Sequence, residues 1–392
     1  MIARIVIPLL LIIVLSDVYI DAHYFRKHYK ISWWLRLLWW TPSIFLVTYT
    51  CALASIESFA PHNLTWLNAY LLLTGIVVGP KAIFAVCSSI GWFIRKFITH
   101  THRNPGHYIG LAISCFMVTM YLYGLTFGFS QIRVRHINLT FNDLPATFDG
   151  YKIVHVSDLH LGTFKGWRAR ILKAEMDSIS KQRADRIFFT GDLQNMRPHE
   201  VEEMAHVIRN AMKGTIAVLG NHDYTEYVKG TPEELSRQEQ RLRKVIRDSL
   251  EWTLLTNANM TLHKDNDSIY ICGEENDGLP PFPNKADLKK TMRGIPDNAF
   301  VIMLQHDPSA WQRSILPHTH AQLTLSGHTH AGQMQAMGRR LSQLWLREDY
   351  GLFSENNRYL YVTAGLGGLI PFRLNMPNEV TVITLHTTKR LR

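Results

Sequence analysis

The sequence predicts two consecutive units, a bundle of membrane-spanning helices followed by a layered α/β domain. The first unit is indicated by four long apolar runs before residue 130 and by an uneven distribution of charge. The second is indicated by short apolar strands that alternate with helix-like stretches in the rest of the chain. With 392 residues, the chain is long enough for each unit to form a core of its own.

The formal net charge of +10 is concentrated in the N-terminal part of the chain. Up to residue 135 there are 11 Lys and Arg residues against Asp17, Asp21 and Glu57, which leaves +8. The remaining 31 of 42 basic and 29 of 32 acidic residues leave only +2. Because the basic residues stand at the ends of apolar runs, they are typical of membrane topology and not of nucleic-acid binding. We therefore expect a lipid bilayer as a partner and no nucleic acid.

The apolar runs lie at 2–20, 37–56, 66–94 and 108–129, and each is near the length that crosses the hydrocarbon core of a bilayer. Trp and Tyr residues crowd their ends, which matches the aromatic belts of membrane interfaces. A buried helical bundle of a soluble protein is the alternative. It is disfavoured because the segment contains so few acidic residues, three in all. The first run has a weak basic start, Arg4, and no small-residue cleavage site, so we expect it to be retained as an anchor. Residues 1–130 are thus predicted to be a transmembrane region.

The loops between these runs predict the orientation in the membrane. Basic residues occur in the loop after the first span and in the loop after the third, as Arg26, Lys27, Lys30 and Arg36, and as Arg95, Lys96 and Arg103. The loop between spans two and three carries none. By the positive-inside rule both basic loops are cytoplasmic, so everything after Phe129 is predicted to be extracytoplasmic. Arg133 and Arg135 argue in the opposite direction.

One cation lies inside a predicted span. Lys81 follows Gly79-Pro80 in the third apolar run. It marks a kink, snorkels to the interface or faces a polar cavity, and an intramembrane charge is by default a candidate functional group.

From about residue 131, seven short apolar stretches are predicted as strands: YKIVHVS, RIFFTG, TIAVLG, FVIMLQ, AQLTLSG, LYVTAG and VTVITL. In the first half of this region they alternate with helix-like stretches at 167–182, 199–212 and 232–250. This alternation predicts a layered α/β domain with buried strands. The segment LPATFDG, residues 144–150, is predicted to connect the last span to this domain.

Most of these strands end in residue types that bind metals, namely Asp158 and His160, Asp192, Asn221 and His222, His306, and His328 and His330. Strand ends at one edge of a sheet are where α/β proteins place their sites. In an extended stretch, residues i and i+2 project to the same side, so Asp158 and His160 can share one metal; His328 and His330 have the same spacing. Any single one of these residues is more often a turn former or a helix cap. Five such endings in one domain favour a metal site.

The blocks DLH, GD, GNHD, QH and GHTH, in this order, resemble the calcineurin-like metallophosphoesterase superfamily over about 145–392. SDLHLG, GHTHAGQ, DYGL, YVTAGLGG and PFRLNMPNEVTVITL are similar to its membrane-associated phosphodiesterase branch of the YkuE/YaeI type. The resemblance implies that residues 131–392 form a four-layer αββα sandwich with two metals at the carboxyl ends of its strands.

On this resemblance the first metal would take Asp158, His160, Asp192 and His330, and the second would take Asp192 as a bridge, Asn221, His306 and His328. Carboxylate, amide and imidazole ligands without a thiolate suit two divalent ions of Mn, Fe or Zn. Two ions roughly 3.5–4 Å apart clamp a phosphoryl group and activate a water near neutral pH. His222 would be the catalytic histidine that stabilises or protonates the departing oxygen.

One departure from the family pattern lies near the catalytic histidine. Many members have an aspartate at the position of Asn195, where it orients that histidine. An amide side chain still accepts a hydrogen bond from imidazole but does not stabilise an imidazolium, so His222 is predicted to be a weaker acid–base group. Ala331 stands where glycine is commoner in this branch, a minor change.

Two further features are candidates for contact with the substrate. Arg373 in PFRLN is predicted either to meet a substrate phosphate or to be a surface arginine, and Asn195 is also a candidate on the substrate side. The stretch 338–353, GRRLSQLWLREDYGLF, is predicted either to form a lip over the site or to be an amphipathic packing segment.

Together these observations predict a membrane-anchored dinuclear-metal phosphoesterase that hydrolyses phosphodiester or pyrophosphate bonds. A lipid-linked substrate follows from the anchoring, and the bond type follows from the resemblance alone. One alternative is a cytoplasmic-facing pyrophosphatase of the UDP-diacylglucosamine type, which differs in topology. Another is a catalytically silent metal-binding membrane scaffold, which the complete set of ligand blocks disfavours.

Overall fold

The structure, a computed structural model, describes residues 2–100 and 103–389. It divides into two compact units, Met1–Leu125 and Thr126–Arg392. The first is built of helices, and the second contains the strands together with further helices.

Five α-helices form the N-terminal unit: α1 Val6–Ile20, α2 Trp33–Ala54, α3 Leu64–Leu73, α4 Gly79–Ile94 and α5 Pro105–Tyr123. Single π turns join α3 to α4 and extend α1, α4 and α5. The result is four continuous helices, at Ile2–Arg26, Trp33–Ala54, Leu64–Thr99 and Pro105–Gly128, each long and apolar enough to cross a membrane. The predicted four-helix transmembrane unit is confirmed. The π turn at Thr74–Val78 directly precedes Gly79-Pro80, where proline lacks a backbone N–H.

Lys81 forms an ion pair inside this unit. Its Nζ lies 2.9 Å from Oδ1 of Asp17 on α1, and the Asp17 side chain is completely buried. Nζ also donates to Ser43 Oγ at 3.1 Å, and Trp39 Nε1 donates to Asp17 Oδ1 at 2.8 Å. Lys81 therefore ties α4 to α1 and α2, and the snorkelling alternative is wrong.

Helices α4 and α5 pack with their backbones in close contact. A Cβ placed on Gly106 would lie 2.2 Å from the carbonyl oxygen of Cys87, closer than real Cβ atoms come. Small residues permit such close approach between membrane helices. Asn104 caps the start of α5, where its side chain accepts the N–H of Gly106 at 2.9 Å.

The C-terminal unit contains two six-stranded sheets and a two-stranded hairpin. In chain order the strands are β1 Ile132–Phe141, β2 Tyr151–Val156, β3 Arg186–Thr190, β4 Ile216–Val218, β5 Thr253–Leu254, β6 Ala258–Lys264, β7 Asp267–Gly273, β8 Val301–Leu304, β9 Leu323–Ser326, β10 Gln335–Ala336, β11 Arg339–Arg340, β12 Gly351–Glu355, β13 Arg358–Val362 and β14 Asn378–Thr387. The first sheet has the order β1-β14-β2-β3-β4-β5, and the second has the order β12-β13-β9-β8-β7-β6. Strands β2, β3 and β4 are parallel to one another, as are β7, β8 and β9.

Helices cover the outer face of each sheet. They are α6 Ala169–Lys181, α7 Pro198–Ile208, α8 Pro232–Lys244, α9 Leu288–Thr291 and α10 Leu316–His318. Because side chains alternate along a strand, Phe188 of β3 packs between the two sheets while Phe189 packs against the helical layer. In the second sheet, Ile302 lies between the sheets and Val301 lies in the outer core with Trp311. The four-layer αββα arrangement is confirmed.

The connection from the membrane helices differs from the prediction. The last long helix ends at Gly128, and strand β1 begins at Ile132. LPATFDG therefore joins β1 to β2, and its assignment as the interunit connector is wrong. Strand β1 pairs with β14 over ten residues, but it alternates half-buried and exposed side chains and includes Arg133 and Arg135. It therefore lacks the apolar run by which the other strands were recognised.

Candidate metal centre

Five loops that follow strands of both sheets carry the predicted ligands. The first sheet contributes the loops after β2, β3 and β4, and the second contributes those after β8 and β9. The carboxyl ends of parallel strands meet at one edge of a sheet, which brings their loops together. The side chains form two overlapping groups of residues that could hold a metal ion.

The first group consists of Asp158, His160, Asp192 and His330, whose ligand atoms all lie within 4.8 Å of one another. His330 Nε2 is 3.4 Å from Asp158 Oδ1, and His160 Nε2 is 3.6 Å from Asp192 Oδ2. The structure thus assembles the four residues that were expected to hold the first metal.

The second group consists of Asp192, His306 and His328, whose ligand atoms also lie within 4.8 Å of one another. The amide of Asn221 adds to it, since its Oδ1 is 2.7 Å from His328 Nδ1 and 3.1 Å from His306 Nε2. On its other side, Asn221 Nδ2 donates to the hydroxyl of Tyr227 at 2.8 Å. This hydrogen bond turns the amide oxygen toward the two histidines.

Asp192 belongs to both groups through one oxygen atom. Its Oδ2 is 3.6 Å from Nε2 of His160 and 3.3 Å from Nε2 of His306. Its Oδ1 accepts the backbone N–H of His222 at 2.8 Å, which fixes the carboxylate. A carboxylate held between two sets of ligands has the position of a bridge between two metal ions.

Five of the seven predicted ligands have left-handed backbone conformations, with φ angles of 54° at Asp158, 48° at His160, 60° at Asp192, 71° at His328 and 50° at His330. The expectation that an extended backbone aligns Asp158 with His160 is therefore wrong, because β2 ends at Val156 and the chain turns at both residues. His328 and His330 have the same spacing but join different groups. Such conformations cost about 1–3 kcal/mol each and cluster at functional sites.

Two glycines make room for the ligand carboxylates. A Cβ on Gly327 would lie 2.3 Å from Oδ2 of Asp158, and one on Gly220 would lie 2.2 Å from Oδ1 of Asp192. Both distances are shorter than real Cβ contacts. The glycines before Asn221 and His328 are thus required by the carboxylates that pack against them.

The environment of the histidines fits a bound cation. His160 is buried, and neither of its ring nitrogens has a hydrogen-bond partner among the residues that the structure describes. An unpaired buried polar atom costs about 1–3 kcal/mol, and coordination of Nε2 to an ion would remove that cost. Burial lowers the pKa of His160 to about 3 and the pKa of His330 well below its usual value, so both rings are neutral and keep a lone pair for a metal.

The carboxylates respond differently to burial. Burial raises the pKa of Asp158 to about 7. Burial also opposes ionisation of Asp192, but His306 and His222 hold the pKa of Asp192 well below its usual value. In turn, against the effect of burial, the Asp192 carboxylate raises the pKa of His306. The site therefore favours a positive charge next to Asp192, which is where a metal ion would lie.

Comparison with known proteins decides the family. The family described as calcineurin-like phosphoesterase matches residues 151–332, and the family described as the transmembrane domain of a probable calcineurin-like phosphoesterase matches residues 3–129. The uncharacterized metallophosphoesterase YkuE of Bacillus subtilis is 30% identical over 255 residues, which cover 62% of this chain and 82% of the relative. The chain belongs to the calcineurin-like metallophosphoesterases.

Two further relatives are also described as metallophosphoesterases, and one of them is described as a transmembrane protein as well. A transmembrane protein with metallophosphoesterase domain from Danio rerio is 27% identical over 276 residues, 67% of this chain and 60% of that protein. An uncharacterized metallophosphoesterase of Aquifex aeolicus is 26% identical over 261 residues, 65% of this chain and 92% of the relative. The chain is a membrane-anchored metallophosphoesterase with a cluster of side chains that could bind metals.

In this metallophosphoesterase, His222 is oriented by a backbone group. Its Nδ1 lies 2.6 Å from the carbonyl oxygen of Asn195, so the ring N–H donates to the main chain. The Asn195 side chain points elsewhere: Nδ2 donates to Thr163 Oγ1 at 2.9 Å, and within the described part of the chain Oδ1 has no hydrogen-bond partner. The prediction that the Asn195 amide orients His222 is therefore wrong. Since a carbonyl does not depend on the side chain, the expected weakening of His222 loses its basis.

Arg373 occupies neither of its predicted positions. Its side chain has no exposed surface, and Nη2 donates to the carbonyl oxygens of Gly367 at 2.7 Å and Gly365 at 3.2 Å. Nη1 reaches the carbonyl oxygen of His330 at 3.4 Å. Arg373 is thus a buried brace for the backbone beside a ligand, neither a surface residue nor exposed to a substrate phosphate.

Sequence reasoning missed two residues that hold the site together. Asp223 accepts the backbone N–H groups of Asp192 at 2.8 Å, Leu193 at 2.9 Å, Gln194 at 3.2 Å and Gly220 at 2.9 Å, and so clamps two ligand loops to each other. Tyr227 holds Asn221 and stacks on His222, with ring centroids 4.5 Å apart. Asp223 stands in the GNHD block, but nothing in the block distinguishes a clamp from a ligand.

The first half of the stretch 338–353 exposes bulky apolar side chains, whereas Tyr350 and Phe353 pack against buried clusters. Leu344 and Trp345 are 77% and 62% exposed, and Leu341 is also exposed. Arg340 is held by Asp349, with its Nε 2.7 Å from Oδ2. The alternative of an amphipathic packing segment is wrong for Leu341, Leu344 and Trp345, because they face away from the core.

Proposed function

We propose that the chain is a two-metal phosphohydrolase that cleaves phosphodiester or pyrophosphate bonds of a lipid-linked substrate. The observation that carries the proposal is the position of one carboxylate oxygen, Asp192 Oδ2, between Nε2 of His160 and Nε2 of His306. A single-metal site has no need of such a shared oxygen. A carboxylate oxygen shared by two sets of ligands suits two ions held close together.

The seven ligands divide between the ions as the family resemblance implies. Asp158, His160, Asp192 and His330 would hold the first ion, and Asp192, Asn221, His306 and His328 would hold the second. When bound, two divalent ions of Mn, Fe or Zn would neutralise the charge of the phosphoryl group and make a water acidic enough to attack it. The backbone N–H of His222 keeps Asp192 in its bridging orientation.

His222 supplies the proton for the departing oxygen. Its Nδ1–H donates to the carbonyl oxygen of Asn195, which makes Nε2 the nitrogen that serves the substrate. The ring is confined between Tyr227, stacked on one side, and His160, edge-on at 4.8 Å between centroids. A positioned general acid of this kind contributes about 10²–10⁴-fold to the rate.

The exposed apolar residues after the last ligand loop favour a substrate that contacts a lipid phase. Met337, Leu341, Leu344 and Trp345 lie within nine positions and are exposed. Soluble surfaces rarely gather such side chains, whereas Trp and Leu are favoured at the boundary between lipid head groups and acyl chains. The four membrane helices keep the enzyme at that boundary.

The phosphoesterase unit is proposed to be extracytoplasmic, because the loops after the first and third spans carry the basic residues. Alkaline phosphatase fused to the C-terminus should then be active, while a reporter that works only in the cytoplasm should be inactive. The reverse pair of results would place the unit in the cytoplasm and favour a UDP-diacylglucosamine-type substrate.

The activity is tested with purified full-length protein, loaded with Mn, Fe or Zn and verified for metal content. The panel contains bis(4-nitrophenyl) phosphate, 4-nitrophenyl phosphate, phospholipids, lipid-linked diphosphates and UDP-diacylglucosamine. We expect hydrolysis of the diester and of one lipid-linked compound, lost with a chelator and restored by metal. Absence of hydrolysis across the panel, with two ions bound per chain, would contradict the proposal and favour the silent scaffold.

A further inference from the structure

The membrane unit contains a cavity with a basic wall. The cavity has a volume of about 660 Å³ and is lined by Lys27, Arg95 and Arg103 together with three histidines, His23, His28 and His107. These residues come from the end of the first span and the loop after it, from the segment between α4 and α5, and from the first turn of α5. We call this space the basic cavity. Residues far apart in the sequence thus place three cationic groups around one volume.

A second cavity of about 680 Å³ adjoins the first. Its wall is mostly apolar and includes Ile20, Phe25, Trp39, Ile76, Phe84 and Leu111. We call it the apolar cavity. Both cavities are lined by Tyr24, Tyr29, His107 and Tyr108, so the two volumes share a wall. Each volume lies in the range of small-molecule sites in proteins, roughly 300–1,000 Å³.

The charge on the basic cavity is of one sign. Among the residues that the structure describes, its lining includes three cations and no carboxylate. The three acidic residues of the unit lie elsewhere: Asp17 pairs with Lys81, Asp21 pairs with Arg26 and Arg36, and Glu57 follows α2. Lys81 lines the apolar cavity, but its charge is matched by Asp17. The basic cavity is therefore complementary to an anion.

Hydrogen bonds hold the wall of the basic cavity in place. Ser88 of α4 accepts from Tyr19 Oη at 3.0 Å and also contacts the hydroxyl of Tyr24. Asn104 Nδ2, at the start of α5, donates to the carbonyl oxygen of Ser88 at 3.0 Å. The first, third and fourth spans are thus fixed to one another around the cavity, which gives it a defined shape.

We propose that the membrane unit binds one anionic glycerophospholipid, with the phosphate in the basic cavity and an acyl chain in the apolar cavity. A soluble anion would use the cations but not the adjoining apolar wall. A zwitterionic lipid would bring a quaternary ammonium group toward three like charges. Under the proposed topology both basic loops are cytoplasmic, and the cytoplasmic leaflet carries the anionic lipids. The site is independent of the metal centre and of the proposed hydrolysis.

Native mass spectrometry of the full-length protein, released from detergent with added phosphatidylglycerol or phosphatidylcholine of equal chain length, tests the proposal. We expect phosphatidylglycerol to be retained preferentially. A basic residue near an anionic lipid contributes about fivefold to binding, so Arg95→Gln/Arg103→Gln should weaken retention roughly thirtyfold. Equal retention of the two lipids by the wild type would overturn the proposal.

The matched control is Lys30→Gln/Lys96→Gln. It removes the same charge from the same two loops, at positions that line neither cavity, and should leave retention unchanged. If both double variants lost phosphatidylglycerol to the same extent, the effect would be one of general surface charge, and a specific lipid site would be contradicted. Leu111→Trp fills the apolar cavity without altering charge and should also weaken retention of the lipid. This variant tests the proposal independently if the arginine double variant does not fold. Displacement of the lipid by inorganic phosphate alone would contradict the role of the apolar cavity.

Discussion

Both units bury carboxylates, but they compensate the charge in different ways. In the membrane unit, buried Asp17 is 2.9 Å from Lys81 Nζ, and buried Asp21 is 2.8 Å from Arg36 Nη2. In the phosphoesterase unit, Asp158 and Asp192 are equally buried. Among the described residues, their ion pairs are formed with histidines alone, and no lysine or arginine lies within ion-pair distance.

The difference shows how a buried carboxylate can be used. An ionised carboxylate in a protein interior is costly unless a positive charge accompanies it. In the membrane unit the chain provides that charge itself, which gives a closed structural link between helices. Around Asp192 the chain provides imidazoles instead of lysine or arginine, and the carboxylate raises the pKa of one of them, His306, so that a metal ion would take the place of a proton there. The first arrangement stabilises the fold, and the second creates a site for cations.

The largest expected effect comes from removing the shared carboxylate. Asp192→Asn should deplete both ions, because one oxygen serves both groups, and should lower kcat by more than about 10³-fold, beyond the loss of one electrostatic contact. Elemental analysis and hydrolysis of bis(4-nitrophenyl) phosphate measure the two effects. Asp177→Asn, an exposed carboxylate on α6, is the matched control. Full occupancy of both metal sites in Asp192→Asn would contradict the comparison of the two units. It would show that the Asp192 carboxylate is not what binds the ions.

His222→Ala should keep both ions and still lose activity. All seven predicted metal ligands are intact in this variant, so its metal content should match the wild type. Its kcat should nevertheless fall by about 10²–10⁴-fold. The loss should be largest for alkyl esters and smallest for 4-nitrophenyl esters, whose leaving group barely needs a proton. His206→Ala, an exposed histidine on α7, is the control. A loss of equal size for both kinds of ester would contradict proton donation and assign His222 to positioning of the phosphate.

In the membrane unit, Lys81→Met should leave Asp17 buried without its cation. The free energy of unfolding is expected to fall by about 3–5 kcal/mol, as when one partner of a buried pair is removed. Lys81→Met/Asp17→Asn removes both charges and should recover most of that loss. Chemical unfolding in detergent micelles measures both variants. Equal destabilisation in the single and double variants would show that packing of the Lys81 side chain, and not charge, is what matters.

The loops that carry the site could be predicted from the sequence, but their backbone conformations and hydrogen bonds could not. Parallel strands buried on both faces are continuous apolar runs, so the strands that precede the ligands could be recognised. The turn at Asp158 and His160 could not, because left-handed backbone at a non-glycine residue is imposed by its surroundings. The group that orients His222 is a main-chain carbonyl, which every residue has and no pattern reveals. Asp17 and Lys81 are 64 positions apart, and only the folded bundle pairs them.

A smaller effect is expected where a side chain supports a ligand without touching an ion. Tyr227→Phe keeps the ring that stacks on His222 but removes the hydroxyl that accepts from Asn221 Nδ2. Loss of such a support weakens metal affinity by about 10–100-fold, and the second ion should be affected while the first is retained. Competition with a chelator, followed by elemental analysis, measures each affinity. Equal weakening of both ions would indicate a general change of fold.

The smallest effect is expected at Asn195, and it separates a backbone role from a side-chain role. Asn195→Ala keeps the carbonyl that accepts from His222 Nδ1 and removes only the side-chain hydrogen bond to Thr163. One neutral hydrogen bond is worth about 0.5–1.5 kcal/mol, so kcat should fall by no more than roughly tenfold.

The same geometry predicts that Asn195→Asp brings no gain in activity. A carboxylate at this position would be buried in the loop whose N–H is already bound by Glu200 Oε2 at 2.6 Å, and it would have no contact with the His222 ring to strengthen. Rates for alkyl and 4-nitrophenyl esters are measured at verified metal content in the wild type and both variants. If Asn195→Ala reproduced the size and the leaving-group dependence of His222→Ala, the side chain would be the orienting group after all. A rise in kcat for alkyl esters in Asn195→Asp would lead to the same conclusion, because only a charged side chain near the ring stabilises its imidazolium.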